Sequence, residues 1–168
     1  MDLALARGKL PQVMITMENL EPVPYIVHVE FEIASDFAEL ARVRTGIRAA
    51  CHQTSPLALS EDGIEQLALA VNEAVSNIIA HAYHGRHNQQ IQIVADIYED
   101  RVVVCLYHYG ETFDAAMIPP PSFDGSCDHG FGLYIIAHSV DDVHYTRDAQ
   151  GRSVMCLIKR RGETCAEE

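Results

Sequence analysis

In the stretch Asn72-Glu73-Ala74-Val75-Ser76-Asn77-Ile78-Ile79-Ala80-His81-Ala82-Tyr83, apolar and polar residues separate onto two faces of a helix. Extended back to Ile64, the set Ile64, Leu67, Val71, Ala74, Val75, Ile78 and Ala82 fills one broad face, and Glu73, Asn77 and His81 step by four along another. A Glu-x-x-x-Asn column is common on solvated helix faces, where it carries no chemistry. The small apolar flanks Ala70-Val71 and Ala74-Val75 instead place this column in a closely packed helix. There a carboxylate beside a carboxamide can activate a hydroxyl or a water and offer hard oxygen donors to Mg²⁺. Ser60 followed by Glu61 and Asp62 supplies the helix start, because a hydroxyl cap and early acids satisfy free N–H groups and the helix dipole. The spacing predicts a helix that runs to about Tyr83 and stops before Gly85.

Upstream, residues 1–24 mix apolar residues with Pro11, Pro22 and Pro24 and read as an extended N-terminal arm, with a short strand over Val13 to Met17. From Tyr25 the pattern turns to a half-buried strand, since Val27, Val29, Phe31 and Ile33 alternate with His28, Glu30 and Glu32. Asp36 with Glu39 reads as a capping box, and Phe37, Leu40, Val43, Ile47 and Ala50 continue it as a helix of about four turns. Downstream, Gln90 to Tyr98 and Arg101 to Tyr109 form a tight hairpin over Glu99-Asp100. Gly110 to His129, with Pro119-Pro120-Pro121 and Gly125, lacks periodicity and reads as a long loop of the kind that serves as a lid. Phe131 to Ser139 is a short apolar helix, and Val143 to Thr146 and Ser153 to Lys159 alternate as strands around a turn at Asp148 to Gly151. This order predicts an α+β fold, an antiparallel sheet with its helices gathered on one face.

The bulk numbers narrow the function classes. A chain of 168 residues with 48% hydrophobic residues can bury one core, read here as a domain over 25–161 with a charged tail at 162–168. The net charge of −12 argues against a direct nucleic-acid partner. Cys51, Cys105, Cys127, Cys156 and Cys165 are odd in number and scattered, which predicts reduced thiols and a cytoplasmic setting rather than a disulfide frame or zinc site. No apolar run approaches the roughly 18 residues of a membrane span, so neither a membrane association nor a signal peptide is expected. His81, His84 and His87 sit at metal-like spacing, yet Gly85 ends the helix and no fourth ligand is in view, so a His81 packed at the helix end is the preferred reading.

A second motif, Asp128-His129-Gly130-Phe131-Gly132-Leu133, joins the loop to the third helix. Its glycines let backbone N–H groups approach an anion at a helix N-terminus, although a Gly-x-Gly equally marks a hinge or a helix-start turn. Taken together, Asn72 to Tyr83, Gly130-Phe131-Gly132-Leu133-Tyr134-Ile135-Ile136 and Asp141-Asp142-Val143-His144-Tyr145 closely resemble the N-box, the second glycine box and the following strand of anti-sigma-factor serine/threonine kinases. That family lies in the superfamily of gyrase, histidine kinases and MutL-like ATPases. The resemblance covers roughly Phe31 to Arg160. It implies a Bergerat-type ATP-binding fold, a two-layer sandwich with a mixed, mostly antiparallel sheet. It also implies ATP and Mg²⁺ as cofactors, Glu73 as general base and Asn77 as the Mg²⁺ ligand. His81, Gly130, Phe131, Gly132 and Leu133 fall on cofactor-binding positions, and Pro119 to Gly130 on the lid.

Between hairpin and lid, the family pattern Asp-x-Gly-x-x-Phe-Asp meets His108-Tyr109-Gly110-Glu111-Thr112-Phe113-Asp114. Gly110 and Phe113 match and are expected at the cofactor, whereas the adenine-reading Asp is replaced by His108. Losing a charge-assisted hydrogen bond worth about 1.5–3 kcal/mol predicts nucleotide binding weakened by roughly ten- to a hundredfold. An imidazole with a reference pKa of about 6.5 further predicts binding that varies between pH 6 and pH 8. The family's partners would be a small antagonist protein and a sigma factor or other target, with the chain a homodimer. A non-catalytic protein-binding module on the same fold is the competing expectation.

Overall fold

The strands follow the alternation of the sequence. In the computed structural model, which describes residues 25–54, 58–112 and 131–162, β1 (Val27–Ala34), β2 (Gln90–Ile97), β3 (Arg101–His108), β4 (Asp142–Arg147) and β5 (Ser153–Arg160) form one sheet in the order β1-β2-β3-β5-β4. All four pairings are antiparallel. The expected β2–β3 hairpin is closed at Glu99-Asp100 by the Tyr98 N–H donating to the Arg101 carbonyl at 2.9 Å.

Alternation also sorts the two faces. Ile91, Ile93, Ala95 and Ile97 of β2 and Val102, Val104 and Leu106 of β3 are buried toward the helices. Their neighbours build a polar outer face, where His28 Nδ1 meets Asp96 Oδ1 at 2.6 Å and Gln90 and Gln92 donate to Glu32 and Glu30. Each inward Ile, Leu or Val contributes about 1.5–3 kcal/mol through burial, which fixes the register because a one-residue slip would expose the whole set.

The helical layer consists of α1 (Leu40–Cys51), α2 (Glu61–Asn77) and α3 (Phe131–Ser139). A 3₁₀ turn at Phe37–Glu39 leads into α1, with the Asp36 carboxylate accepting from the Ala38 N–H at 2.8 Å. The reciprocal half of the expected capping box is not made: the Asp36 N–H donates to the Ala34 carbonyl, and Glu39 pairs with Arg42 at 3.0 Å. At the start of α2, Ser60 Oγ accepts from the Gly63 N–H at 3.1 Å, as its hydroxyl predicts. The helix predicted to reach Tyr83 does so by changing pitch, for after Asn77 the chain makes a π-helical turn over Ile78–Ala82.

The cysteine reading is corrected at one pair. Cys105 of β3 and Cys156 of β5 are directly opposed across the sheet and form a disulfide. A sequence separation of 51 conceals this, because the proximity comes from strand order rather than spacing. Cys51 is a free, buried thiol whose pKa burial pushes up to about 11, so it is chemically quiet. Cys127 and Cys165, the N-terminal arm with its short strand, and the lid all lie outside the described residues.

Candidate functional site

α2 is the longest helix among the described elements and carries the polar column against the packed layer. Its apolar face, Ile64, Leu67, Val71, Ala74 and Val75, is fully buried, and this holds Glu73 and Asn77 half-buried along one edge. α3 crosses directly over that edge. A β-carbon added to Gly132 would lie 3.2 Å from Glu73 Oε2 and 3.6 Å from Asn77 Oδ1, so the glycine brings the backbone of α3 close to the polar ends of both side chains. The glycine motif and the Glu-Asn column, distant in sequence, therefore share one place.

The carboxylate is tethered from behind. Arg44 Nη1 of α1 donates to Asn72 Oδ1 at 2.6 Å, and Asn72 Nδ2 donates to Glu73 Oε1 at 3.3 Å. One carboxylate oxygen is thus engaged by an amide while the other faces Gly132. The Asn72 amide stands between the Arg44 guanidinium and the Glu73 carboxylate.

Beside this edge opens a cleft lined by Ala74, Asn77 and Ile78 from α2 and its π turn, Leu133 from α3, and residues from the ends of β3, β4 and β5. Its walls are mostly apolar, as ligand sites commonly are. His108 lies at its β3 side, 4% exposed, with Nδ1 buried and without a hydrogen-bond partner. Burial lowers the His108 pKa to about 4, which corrects the expected pH dependence: the ring is neutral at both pH 6 and pH 8. Ser153, directly opposite His108 in the β3–β5 pairing, is also buried and lines the cleft.

The structure separates the other expected site residues. Leu133 is in the cleft wall, and Phe131 opens α3 with its side chain partly exposed. His81 lies exposed in the π turn and does not line the cleft. Gly110 packs against the end of that turn: an added β-carbon would lie 2.7 Å from the Ala82 carbonyl oxygen, which accepts from the Glu111 N–H at 2.9 Å. Phe113 and Gly130 lie outside the described residues. Among the described residues no cluster of three or more His, Cys, Asp or Glu could hold a metal, and His84 and His87 pair separately with Glu111 and Asp36. No described helix is long and apolar enough to cross a membrane.

Sequence reasoning missed Arg44, Asn72, Tyr83 and Ser153. Tyr83 buries its ring against His108, donates its hydroxyl to the Gln90 carbonyl at 2.7 Å and accepts from the Tyr109 N–H at 2.9 Å, fixing the exit from β3. Its place beside the cleft depends on the π turn, which no local pattern announced.

These residues fit a nucleotide. A buried nitrogen of His108 in the cleft wall lacks a partner, and Gly132 brings backbone close to a carboxylate and a carboxamide beside it. The comparisons agree. The profile of the histidine kinase-like ATPase domain matches residues 33–158. The serine-protein kinase RsbW of Oceanobacillus iheyensis is 34% identical over 95 residues, which are 52% of this chain and 60% of that protein. RsbW of Bacillus subtilis strain 168 is 31% identical over 97 residues, 53% of this chain and 61% of its own length. RsbW of Bacillus cereus strain AH187 is 28% identical over a longer stretch of 135 residues, 76% of this chain and 81% of that protein. The chain thus spans about 60% of the first two of these relatives. The profile covers most of the chain and contains both the Glu73-Asn77 column and Gly132, and the chain belongs to the histidine kinase-like ATPase domain family.

Proposed function

We propose that this chain is a regulatory serine/threonine protein kinase that uses ATP and Mg²⁺, phosphorylates a small antagonist protein, and sequesters a sigma factor or another target by partner switching. The observation that carries this reading is the approach of Gly132 to Glu73 and Asn77 beside a cleft with mostly apolar walls. It is supported by the likeness to serine-protein kinases RsbW.

In this reading Glu73, held at Oε1 by Asn72, accepts the proton of the acceptor hydroxyl at its other oxygen. Asn77 would hold Mg²⁺ through its carboxamide oxygen, a hard donor of the kind that ion prefers. The N-terminus of α3 and Gly132 bring backbone N–H groups toward the phosphates. When bound, Mg-ATP supplies the transferable phosphoryl group. The protein's contribution is then positioning and charge stabilisation. We further propose a domain over 25–161, flanked by the arm and tail, working as a cytoplasmic homodimer.

His108 favours one second reading, a non-catalytic binding module that keeps the fold. Incubation with radiolabelled ATP and a candidate antagonist separates the two. Transfer by the wild type that Glu73→Ala abolishes, with the complex retained, supports the kinase. A tight complex without transfer supports the module, and transfer unchanged in Glu73→Ala would overturn the assignment of the base.

A further inference from the structure

We propose that the cleft is a purine-nucleotide site that does not distinguish a 6-amino from a 6-oxo base, so that guanine and hypoxanthine nucleotides bind comparably to adenine nucleotides, and that His108 is the residue responsible. This deepens the nucleotide reading and rests on it.

The inference follows from what lines the cleft. Its wall is apolar through Ala74, Ile78, Leu133, Val154 and Met155, a surface suited to the faces of a flat heterocycle. Its polar side chains among the described residues are Asn77, His108, Thr112, Tyr145, Thr146 and Ser153. Each of these both donates and accepts hydrogen bonds when neutral, and among the described lining residues there is no carboxylate, lysine or arginine to impose one polarity. A base edge is rejected strongly only when a buried group of fixed polarity would be left unpaired, which is how sites reach discrimination of about 10⁴-fold or more. No described lining side chain here has one fixed polarity with which to impose that penalty.

His108 decides the case because it is the buried group still in need of a partner. Its Nδ1 is enclosed and unbonded, and the ring is 4% exposed at the end of β3. A neutral imidazole carries one N–H and one lone pair, and the proton can reside on either nitrogen. Against an exocyclic amine the ring accepts, and against a carbonyl it donates. A carboxylate in its place could only accept, which would satisfy a 6-amino group and leave a 6-oxo group facing negative charge. Ser153, buried opposite His108, has the same two-way capacity through its hydroxyl.

The test is equilibrium calorimetry on the full chain with Mg²⁺, titrating ATP, GTP and ITP separately. The expected result is three dissociation constants within about tenfold of one another. His108→Asp should spread them, favouring ATP over GTP by roughly ten- to a hundredfold more than in the wild type, the range of a charge-assisted hydrogen bond. His108→Asn, whose amide can turn either edge to the base, should keep the wild-type ratio and guards against misfolding of the Asp variant. A wild type that binds ATP a hundredfold or more tighter than GTP overturns the inference while leaving the nucleotide reading standing. An unchanged ratio in a folded His108→Asp variant removes His108 from base selection and overturns it equally. Failure of all three nucleotides to bind overturns both.

Discussion

Gly132 of α3 and Glu73 of α2 approach so closely that a single methyl group on the glycine would reach 3.2 Å from the carboxylate Oε2. The neighbour that must yield is the far end of a flexible side chain, so the strain can be relieved by turning the carboxylate away. In the proposed kinase this separates stability from function. Gly132→Ala removes a residue that disfavours helix and is expected to leave the melting temperature unchanged or to stabilise by up to about 1 kcal/mol. Phosphoryl transfer is expected to fall by roughly ten- to a hundredfold, because misplacement of a reacting group by about 1 Å is costly. Thermal melts and single-turnover kinetics on the same preparation check both halves.

Behind the carboxylate, Arg44 acts on Glu73 only through the Asn72 amide. Arg44→Ala removes a charge-assisted bond that fixes which edge of Asn72 faces Glu73. The expected result is a fall of about tenfold in the transfer rate with the KM for ATP little changed. Asn72→Ala should do the same, and the double variant should be no worse than either single one, the non-additivity expected of one chain of contacts. Additive losses would show that the two residues act separately.

The sheet and the α2 column were legible because both are periodic: alternate residues choose a face of a strand, and fourth residues choose an edge of a helix. Glu73 and Asn77 therefore fall on one helix edge from their spacing alone. What could not be read is whatever depends on two distant segments meeting. Cys105–Cys156 and His108–Ser153 are set by the β3–β5 register, and Arg44–Asn72 by the packing of α1 on α2. His81 departs from the column for a local reason. The helix changes to π geometry just after Asn77, and spacing by four no longer keeps one edge beyond that residue.

His108 provides a pH test independent of ligand. Its folded pKa of about 4 lies below the unfolded value, so between these values the unfolded chain binds the extra proton. Stability is therefore fully present above about pH 6.5 and is lost as pH falls toward 4, by up to about 3 kcal/mol from this residue. Urea unfolding of wild type and His108→Asn should give a difference in stability that is flat from pH 7 to 8 and changes below about 6.5. A difference that stays flat down to pH 4.5 would show that the ring is already solvated.

The Cys105–Cys156 bond lies on the outer face of the sheet, whereas His108 on the same strand faces inward, so the bond and the cleft are mechanically separate. With a sequence separation of 51, the bond is expected to stabilise the folded chain by roughly 4 kcal/mol through the restricted unfolded state. Cys105→Ser with Cys156→Ser should lower the melting temperature by roughly 10 °C. Nucleotide affinity should not change, because the two side chains point away from every cleft residue of β3. Alkylation in denaturant followed by mass measurement checks the pairing itself, since reduction should expose two more thiols in the wild type than in the double variant. Equal numbers would show that the thiols stand opposed on β3 and β5 without being joined, and the melting temperatures of the two proteins would then coincide.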